Sequence, residues 1–475
     1  MADDNTAQQY VVFDPARLLD RHIDAPLHPS DIEDALWRTL DQTHTGLQQD
    51  DYVIESLPLV EFYAGDAGDV TSPPFTPQVI FNASFPNNPA AERFREATLA
   101  SIRAGSGALK SIGVNPTLTL GEYSIPVEPD AALFGTLDDA RHLINADSLP
   151  AALDGQSVNV VVIDSGIDRN MLPAGQFGGG WRVRQADPTL PVPPLPGQTT
   201  GPNALHGMMI VNNILAMAPK ATIFDVPLIP PPKIYEIPYF LHAAHAAYHH
   251  ILHRIQWYRS QNLFPGPWIL VNAWAIYDRR SEGTHLGEYT ENRGSPGMWP
   301  HHFIKMIEQV SAAKFDLVFC AGNCGEVCPD GRCGPNDYGP GRSIWGANAH
   351  QDVLTAGAVR VDAMWPGYSS EGPGPTPHLY AQKPDLCAPS QFVGTAGLYP
   401  PSTGTSAAAA VTAGIVAALR SHANWDQATV PPYVLNLILN NTAKQPQGTG
   451  WNPKLGNGIL DAFAAYQRLV VLFPP

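Results

Sequence analysis

A chain of 475 residues exceeds one typical domain and can bury a large core, so a catalytic-size domain of roughly 300 residues preceded by an N-terminal part is expected. With 47 prolines and 41 glycines the composition predicts many loops while staying below the level of a disordered chain. The formal charge of −16 argues against nucleic acid or an anionic membrane as a main partner, and no segment reaches the length of a membrane span.

The N-terminus, Met1-Ala2-Asp3-Asp4-Asn5-Thr6-Ala7-Gln8-Gln9-Tyr10, has neither the basic start nor the apolar centre of a secretory signal, so a cytoplasmic location is expected. An odd number of cysteines, 5, does not suggest a disulfide scaffold. Residues 1–70 mix one helix, over Ser30 to Leu40, with proline-punctuated loops, and carry no readable function. Residues 71–145 predict a small α+β unit: a strand over 78–85, a helix over 90–103 and a second strand from 117 to 127. A linker around Asn145-Ala146-Asp147-Ser148-Leu149 then leads into the largest part, 146–475.

The run Val158-Asn159-Val160-Val161-Val162-Ile163-Asp164-Ser165-Gly166 is apolar without alternation and closes on an acid and a glycine turn, the pattern of a buried strand in a parallel sheet. Asp164 therefore sits at the C-terminal end of its strand, where open α/β sheets place ligands and chemistry. The proline-rich stretch at 187–197 cannot continue a helix or central strand, and predicts a stiff surface loop near the cleft. His206-Gly207 opens an apolar helix, and residues 218–228 read as the next strand. Taken singly, Asp164 and His206 fit a structural role as well as a chemical one.

In residues 240–261, Leu241, Ala244, Tyr248, Ile251, Leu252 and Ile255 form an apolar stripe at helical spacing, flanked by His242, His245, His249 and His253. Four imidazoles on one face could bind zinc, but no acid or cysteine accompanies them, so this is a sheet-covering helix with a polar edge and no metal site is assigned. Cys320, Cys324, Cys328 and Cys333 surround Asn323 on a turn-rich loop whose spacing is not that of paired zinc ligands; a local disulfide and reduced thiols both stay open. Finally, Ser402-Thr403-Gly404-Thr405-Ser406 runs into an alanine-rich helix. Ser406 stands at its N-terminus, where unpaired N–H groups and the helix dipole favour negative charge beside its oxygen. An N-cap role for Thr405 or Ser406 is the other local reading.

Four of these segments, in this order, resemble the subtilase family of serine peptidases. Asp164-Ser165-Gly166 is similar to its D-[ST]-G, His206-Gly207 to the start of H-G-T-x-V-A-G, Phe319-Cys320-Ala321-Gly322-Asn323 to A-A-G-N, and Gly404-Thr405-Ser406-Ala407-Ala408-Ala409 to G-T-S-M-A-A-P. Tyr368-Ser369-Ser370, Lys383-Pro384-Asp385 and Gly456-Asn457-Gly458 echo further motifs, and the likeness runs from about residue 149 to about residue 466. Met208 stands where the family has Thr or Ser, and Ala410 where it has Pro. Ala273-Trp274-Ala275 replaces S-W-G in the pocket wall, so substrate preference does not carry over.

The resemblance implies an α/β fold of three layers around a mostly parallel sheet, with a smaller N-terminal α+β region. It implies Asp164, His206 and Ser406 as a catalytic triad, Asn323 in the oxyanion hole, and Ala273, Trp274, Ala275 and Gly322 as substrate-binding residues. The expected activity is endopeptidase cleavage of a polypeptide through an acyl-enzyme, with a catalytically silent binding module as the alternative. The chemistry requires no cofactor; calcium is common in the family, but no calcium site is matched. Residues 71–145 resemble a prosegment that blocks the cleft and is cut off near residue 145, or else form a permanent domain that recognises a partner.

Overall fold

The computed structural model describes residues 8–41, 46–66, 75–116, 118–120, 133–184, 192–228, 236–237, 240–294, 299–375, 379–394, 401–446, 448 and 450–474. The N-terminal part contains β1 (Gln9–Phe13), α1 (Pro15–Leu19), α2 (Pro29–Asp41), β2 (Val53–Ser56), β3 (Leu59–Ala64), β4 (Ile80–Ser84), α3 (Asn88–Arg103), β5 (Leu109–Val114) and β6 (Leu118–Leu120). The larger part begins with α4 (Leu137–Leu143), β7 (Asn159–Asp164), β8 (Phe177–Arg184), α5 (Leu205–Met217), β9 (Thr222–Pro227), β10 (Glu236–Ile237) and α6 (Phe240–Ser260). It continues through β11 (Trp268–Asn272), β12 (Trp274–Ala275), α7 (His302–Ala312), β13 (Asp316–Cys320), β14 (Leu354–Val359), β15 (Leu386–Pro389), α8 (Gly404–Arg420), α9 (Pro432–Thr442) and α10 (Ala462–Leu472).

The central sheet runs β15-β14-β13-β11-β7-β9-β8-β3 and is parallel except at β3, which pairs antiparallel with β8. Its middle strands are mostly apolar, as suits a sheet with helices on both faces. Val160 and Val162 of β7 enter the core layer shared with α5 and α8, while Val161 and Ile163 enter the layer shared with α6 and α7. Along β9, Ile223 joins the first layer and Phe224 and Val226 the second. By the same alternation Asp164 and Asp225 lie on the α5–α8 side. This is the three-layer arrangement expected from the sequence.

Helix α8 runs through the first layer with all of its residues buried, which its alanine-rich sequence allows because small side chains let sheet and helix approach closely. At Gly414 a Cβ would lie 2.7 Å from the Met217 Cβ of α5, so the two helices cross where one has no side chain.

Three expectations are corrected. The division at residue 70 is absent: β1 and β2 pair with β4 and β5 in one antiparallel sheet, order β2-β4-β1-β5, so backbone hydrogen bonding makes the N-terminal unit from both sides of that position. Its core is built on Val11, Phe13, Ile32, Leu36, Phe81 and Phe94. The presumed linker near 145 is packed structure, because Ile144 and Ala146 are buried in the main core, Asn145 Nδ2 donates to Asp461 Oδ2 at 2.9 Å, and Ala462 N donates to Ile144 O at 2.8 Å. The stripe of α6 is buried as read, but His242 and His245 are buried too, because the N-terminal unit covers the flank expected to be a polar edge. Of the strand expected over 117–127, Leu118–Leu120 is present as β6, and 121–132 lie outside the described residues. Among the described residues no helix is long and apolar enough to cross a membrane.

Candidate active site

Strand β7 delivers Asp164 to the C-terminal edge of the sheet, and the next turn meets the start of α5. There His206 Nδ1 lies 2.6 Å from Asp164 Oδ1, which also accepts from Ser165 N at 2.7 Å. A carboxylate can only accept, so Nδ1 carries the proton and Nε2 presents its lone pair. Both side chains are buried, and Nε2 has no hydrogen-bond partner among the described residues. Ser165 Oγ accepts from Gly207 N at 3.2 Å, serving a helix start that lacks a side-chain cap at its own N-cap residue. A Cβ on Gly207 would run into Gly166 O, so glycine is what lets the imidazole's helix come this close to the acid's turn.

Ser406 occupies the first turn of α8 and is fully buried. Its hydroxyl donates to Ala273 O at 3.4 Å, so the Ser406–His206 hydrogen bond that the motifs imply is not made. Asn323, at the turn after β13, accepts at Oδ1 from Thr405 N at 2.9 Å and from Thr405 Oγ1 at 3.0 Å. That fixes which end of the amide can donate. The same loop is stapled by a Cys324–Cys333 disulfide, which decides between the two alternatives left by the cysteine spacing. Burial pushes the neighbouring Cys320 thiol up to about 12, leaving it an unreactive core residue.

Ala273, Trp274 and Ala275 are buried, and Gly322 stands beside them: its Cβ would lie 3.6 Å from Ala275 Cβ. Strand β12 pairs antiparallel with β6, and β6 with β10, in a separate sheet of order β10-β6-β12. Leu120 is opposite Trp274 and Thr119 opposite Ala275. A strand from the N-terminal region thus lies along the predicted substrate wall. A carboxylate–imidazole pair, a hydroxyl at a helix N-terminus and an oriented amide are the types of group that general-base, nucleophilic and anion-binding chemistry use.

Residues 266–458 match the family described as the subtilase family, Peptidase_S8. That segment includes Asn323, Ser406 and the wall residues, whereas Asp164 and His206 precede it and rest on the geometry above. Among solved structures the chain is similar to fervidolysin from Fervidobacterium pennivorans, described as a keratinolytic enzyme related to subtilisin, with 13% identity and a TM-score of 0.52, over 98% of this chain and 62% of that one. At that identity the likeness is one of fold, and the chain spans less than two thirds of fervidolysin's length. No curated protein gives a significant match.

Two further residues bear on this site. Thr405 stands in the Gly404-Thr405-Ser406 motif, but its bond to Asn323 spans 82 positions and has no local signature. Asp225 is the single acid in the strand Thr222–Pro227, a signal visible in the sequence. The proline-rich stretch is described only from Val192 onward, where Pro193 and Pro196 are buried instead of lying in a surface loop, since Pro196 packs at Gly180. Among the described residues, no three His, Cys, Asp or Glu side chains converge as a metal site.

Proposed function

We propose that the chain is a serine endopeptidase acting on polypeptides through an acyl-enzyme intermediate. The observation that carries this reading is the buried 2.6 Å Asp164–His206 contact, which leaves Nε2 as the one ring nitrogen able to accept a proton. Ser406 is the nucleophile in this scheme, and His206 takes its proton and returns it to the leaving amine. Asp164 orients the imidazole and stabilises its cation. The Asn323 amide and Ser406 N bind the tetrahedral oxyanion. The substrate lies extended along β12, where main-chain hydrogen bonds tolerate many side chains.

The N-terminal region is read as an intramolecular inhibitor, and the support for this is β6, which already fills the place between β10 and β12. The alternative is a silent binding module, favoured by the Ser406 hydroxyl bonding to Ala273 O instead of His206. A fluorophosphonate probe separates the two. The expected result is labelling of Ser406 once mass spectrometry shows the chain cut upstream of Leu137, with hydrolysis abolished in Ser406→Ala and reduced about 100- to 1000-fold in kcat in Asn323→Ala. Neither labelling nor hydrolysis by cut or whole chain overturns the peptidase reading.

A further inference from the structure

Asp225 is a fully buried acid on β9, and no step of the proposed chemistry uses it. Its register partner on β7 is Val162, and Asp164 is two residues further along opposite Pro227, so both carboxylates project from the same face of the sheet. On its other side β8 presents Gly180, which has no side chain. Asp225 Oδ2 accepts from Gly197 N at 2.8 Å and from Ile167 N at 3.3 Å, and Oδ1 is buried without a hydrogen-bond partner among the described residues.

The two donors belong to different segments. Ile167 lies three residues after Asp164, and Gly197 lies in the loop that runs up to the His206 helix. The same segments are laced by Thr199 N donating to Ile167 O at 3.0 Å and Arg169 N donating to Gly197 O at 2.9 Å. One carboxyl oxygen therefore closes the junction between the turn that carries the acid and the loop that carries the imidazole. The groups that face it are Asp164 from β7 and, through Asp164, His206 from α5. Arg169 lies against the Phe177 ring, and Asp168 accepts from Asn170.

We infer that Asp225 is a positioning residue that ties the Asp164 turn to the His206 loop and, when ionised, adds a second negative charge behind the Asp164–His206 pair. Burial foremost, and then the charge of Asp164, push its carboxyl up to about 7, against the pull of the two backbone N–H groups. The influence is mutual: if Asp164 makes Asp225 harder to ionise, an ionised Asp225 makes the Asp164–His206 pair hold a proton more tightly. As pH rises through neutrality the pair gains a field that stabilises the imidazolium formed when Ser406 is deprotonated. No atom of Asp225 touches substrate, and the proton stays within the triad.

The kinetic part rests on the peptidase reading, so the test has two arms. Asp225→Asn keeps an oxygen acceptor for the two N–H donors but cannot ionise. In the first arm the pH profile of kcat/KM for the active chain and Asp225→Asn is compared. The expected result is an acidic limb displaced downward by about half a pH unit to one unit, and kcat at pH 8 lowered about 3- to 10-fold with KM nearly unchanged. Asp225→Ala, which loses the acceptor as well, falls further in kcat. Asparagine and wild-type profiles that coincide in shape overturn the inference. In the second arm, which needs no turnover, the His206 imidazole is titrated by NMR in whole-chain Ser406→Ala with and without Asp225→Asn. A lower His206 pKa in the asparagine form supports the inference even if the chain proves inactive, and an unchanged one overturns it. Should Asp225→Asn not fold, carboxyl-carbon titration of Ser406→Ala alone decides, because an Asp225 that ionises in the ordinary carboxylate range ends the proposal.

Discussion

The Thr405 hydroxyl accepts from Gly322 N and donates to Asn323 Oδ1, each at 3.0 Å, and so joins the proposed substrate wall to the amide proposed to bind the oxyanion. The backbone N of Thr405 holds the same Oδ1 independently, so removing the hydroxyl loosens the amide without releasing it. Thr405→Val keeps the shape and loses both side-chain bonds. Its kcat is expected to fall about 3- to 10-fold, the worth of a typical hydrogen bond, with KM little changed and Thr405→Ser restoring activity. Steady-state kinetics on a peptide checks this, and an equal loss in the serine variant would contradict it. At this scale the sequence named Asp164, His206, Asn323 and Ser406 because each stands in a short motif whose local geometry it helps make. Thr405 and Asp225 act on residues distant in sequence, where no motif reaches.

Among the elements, α8 shows why its sequence is so poor in large side chains. Gly414 faces α5 where a Cβ would lie 2.7 Å from Met217 Cβ and 2.9 Å from Ile214 O, a backbone atom that cannot step aside alone. Gly414→Ala gains about 1 kcal/mol of helix propensity, but overpacking a closed core costs about 1–3 kcal/mol. A net loss of stability is expected, read as a lower Tm in thermal unfolding, and a higher Tm would show that the helices part more easily than this packing implies. The strand β7 was legible because burial on both faces leaves a continuous apolar run. Helix α6 was half legible: its stripe of Leu241, Tyr248, Ile251 and Ile255 is buried as read, but periodicity cannot say that a second unit will cover the flank.

Over the whole molecule that flank joins the two units through imidazoles. Asn115 Nδ2 donates to His242 Nδ1 at 2.8 Å, which requires that nitrogen to be unprotonated, and Tyr10 of β1 lies 4.0 Å from the His302 ring and 3.5 Å, hydroxyl oxygen to Nδ1, from His245. His301 and His302 stack at 4.3 Å against β5 at Gly113, where any Cβ would strike them. Burial pushes His301 down to about 3 and His245 and His302 well below their ordinary value, and the positive charges of Arg95 and Lys305 act on His301 and His302 in the same direction. Arg95 is paired with Glu288 across the same interface, and Tyr289 lies 5.2 Å from the His301 ring. His285, pushed down to about 4 by burial and Arg95, differs in having Glu92 at 2.9 Å to receive its charge.

Imidazoles held neutral when docked and free to charge at about 6.5 when exposed give the docked state fewer bound protons. Docking is then at full strength above about pH 6.5 and weakens as pH falls below it, by about 1.4 kcal/mol per imidazole per pH unit until the docked form itself titrates. In whole-chain Ser406→Ala, protection against hydrogen exchange, taken relative to the intrinsic rate at each pH, is expected to fall in β1, β5 and β6 between pH 6.5 and 5 while β7 stays protected. Equal protection of β5 at both pH values would contradict it.

The sequence by itself determined the strand that carries Asp164, the helix starts that carry His206 and Ser406 and the turn that carries Asn323, because each depends on residues near one another in the chain; the three-layer class came only through the resemblance of those motifs to a known family. Only the tertiary structure decided that both sides of residue 70 form one sheet, that residue 145 is packed against α10, that β6 lies along the wall at Trp274 and that Asp225 stands behind Asp164. These depend on which distant backbones pair and which faces are covered, and a buried contact between remote segments leaves no periodic trace in either of them.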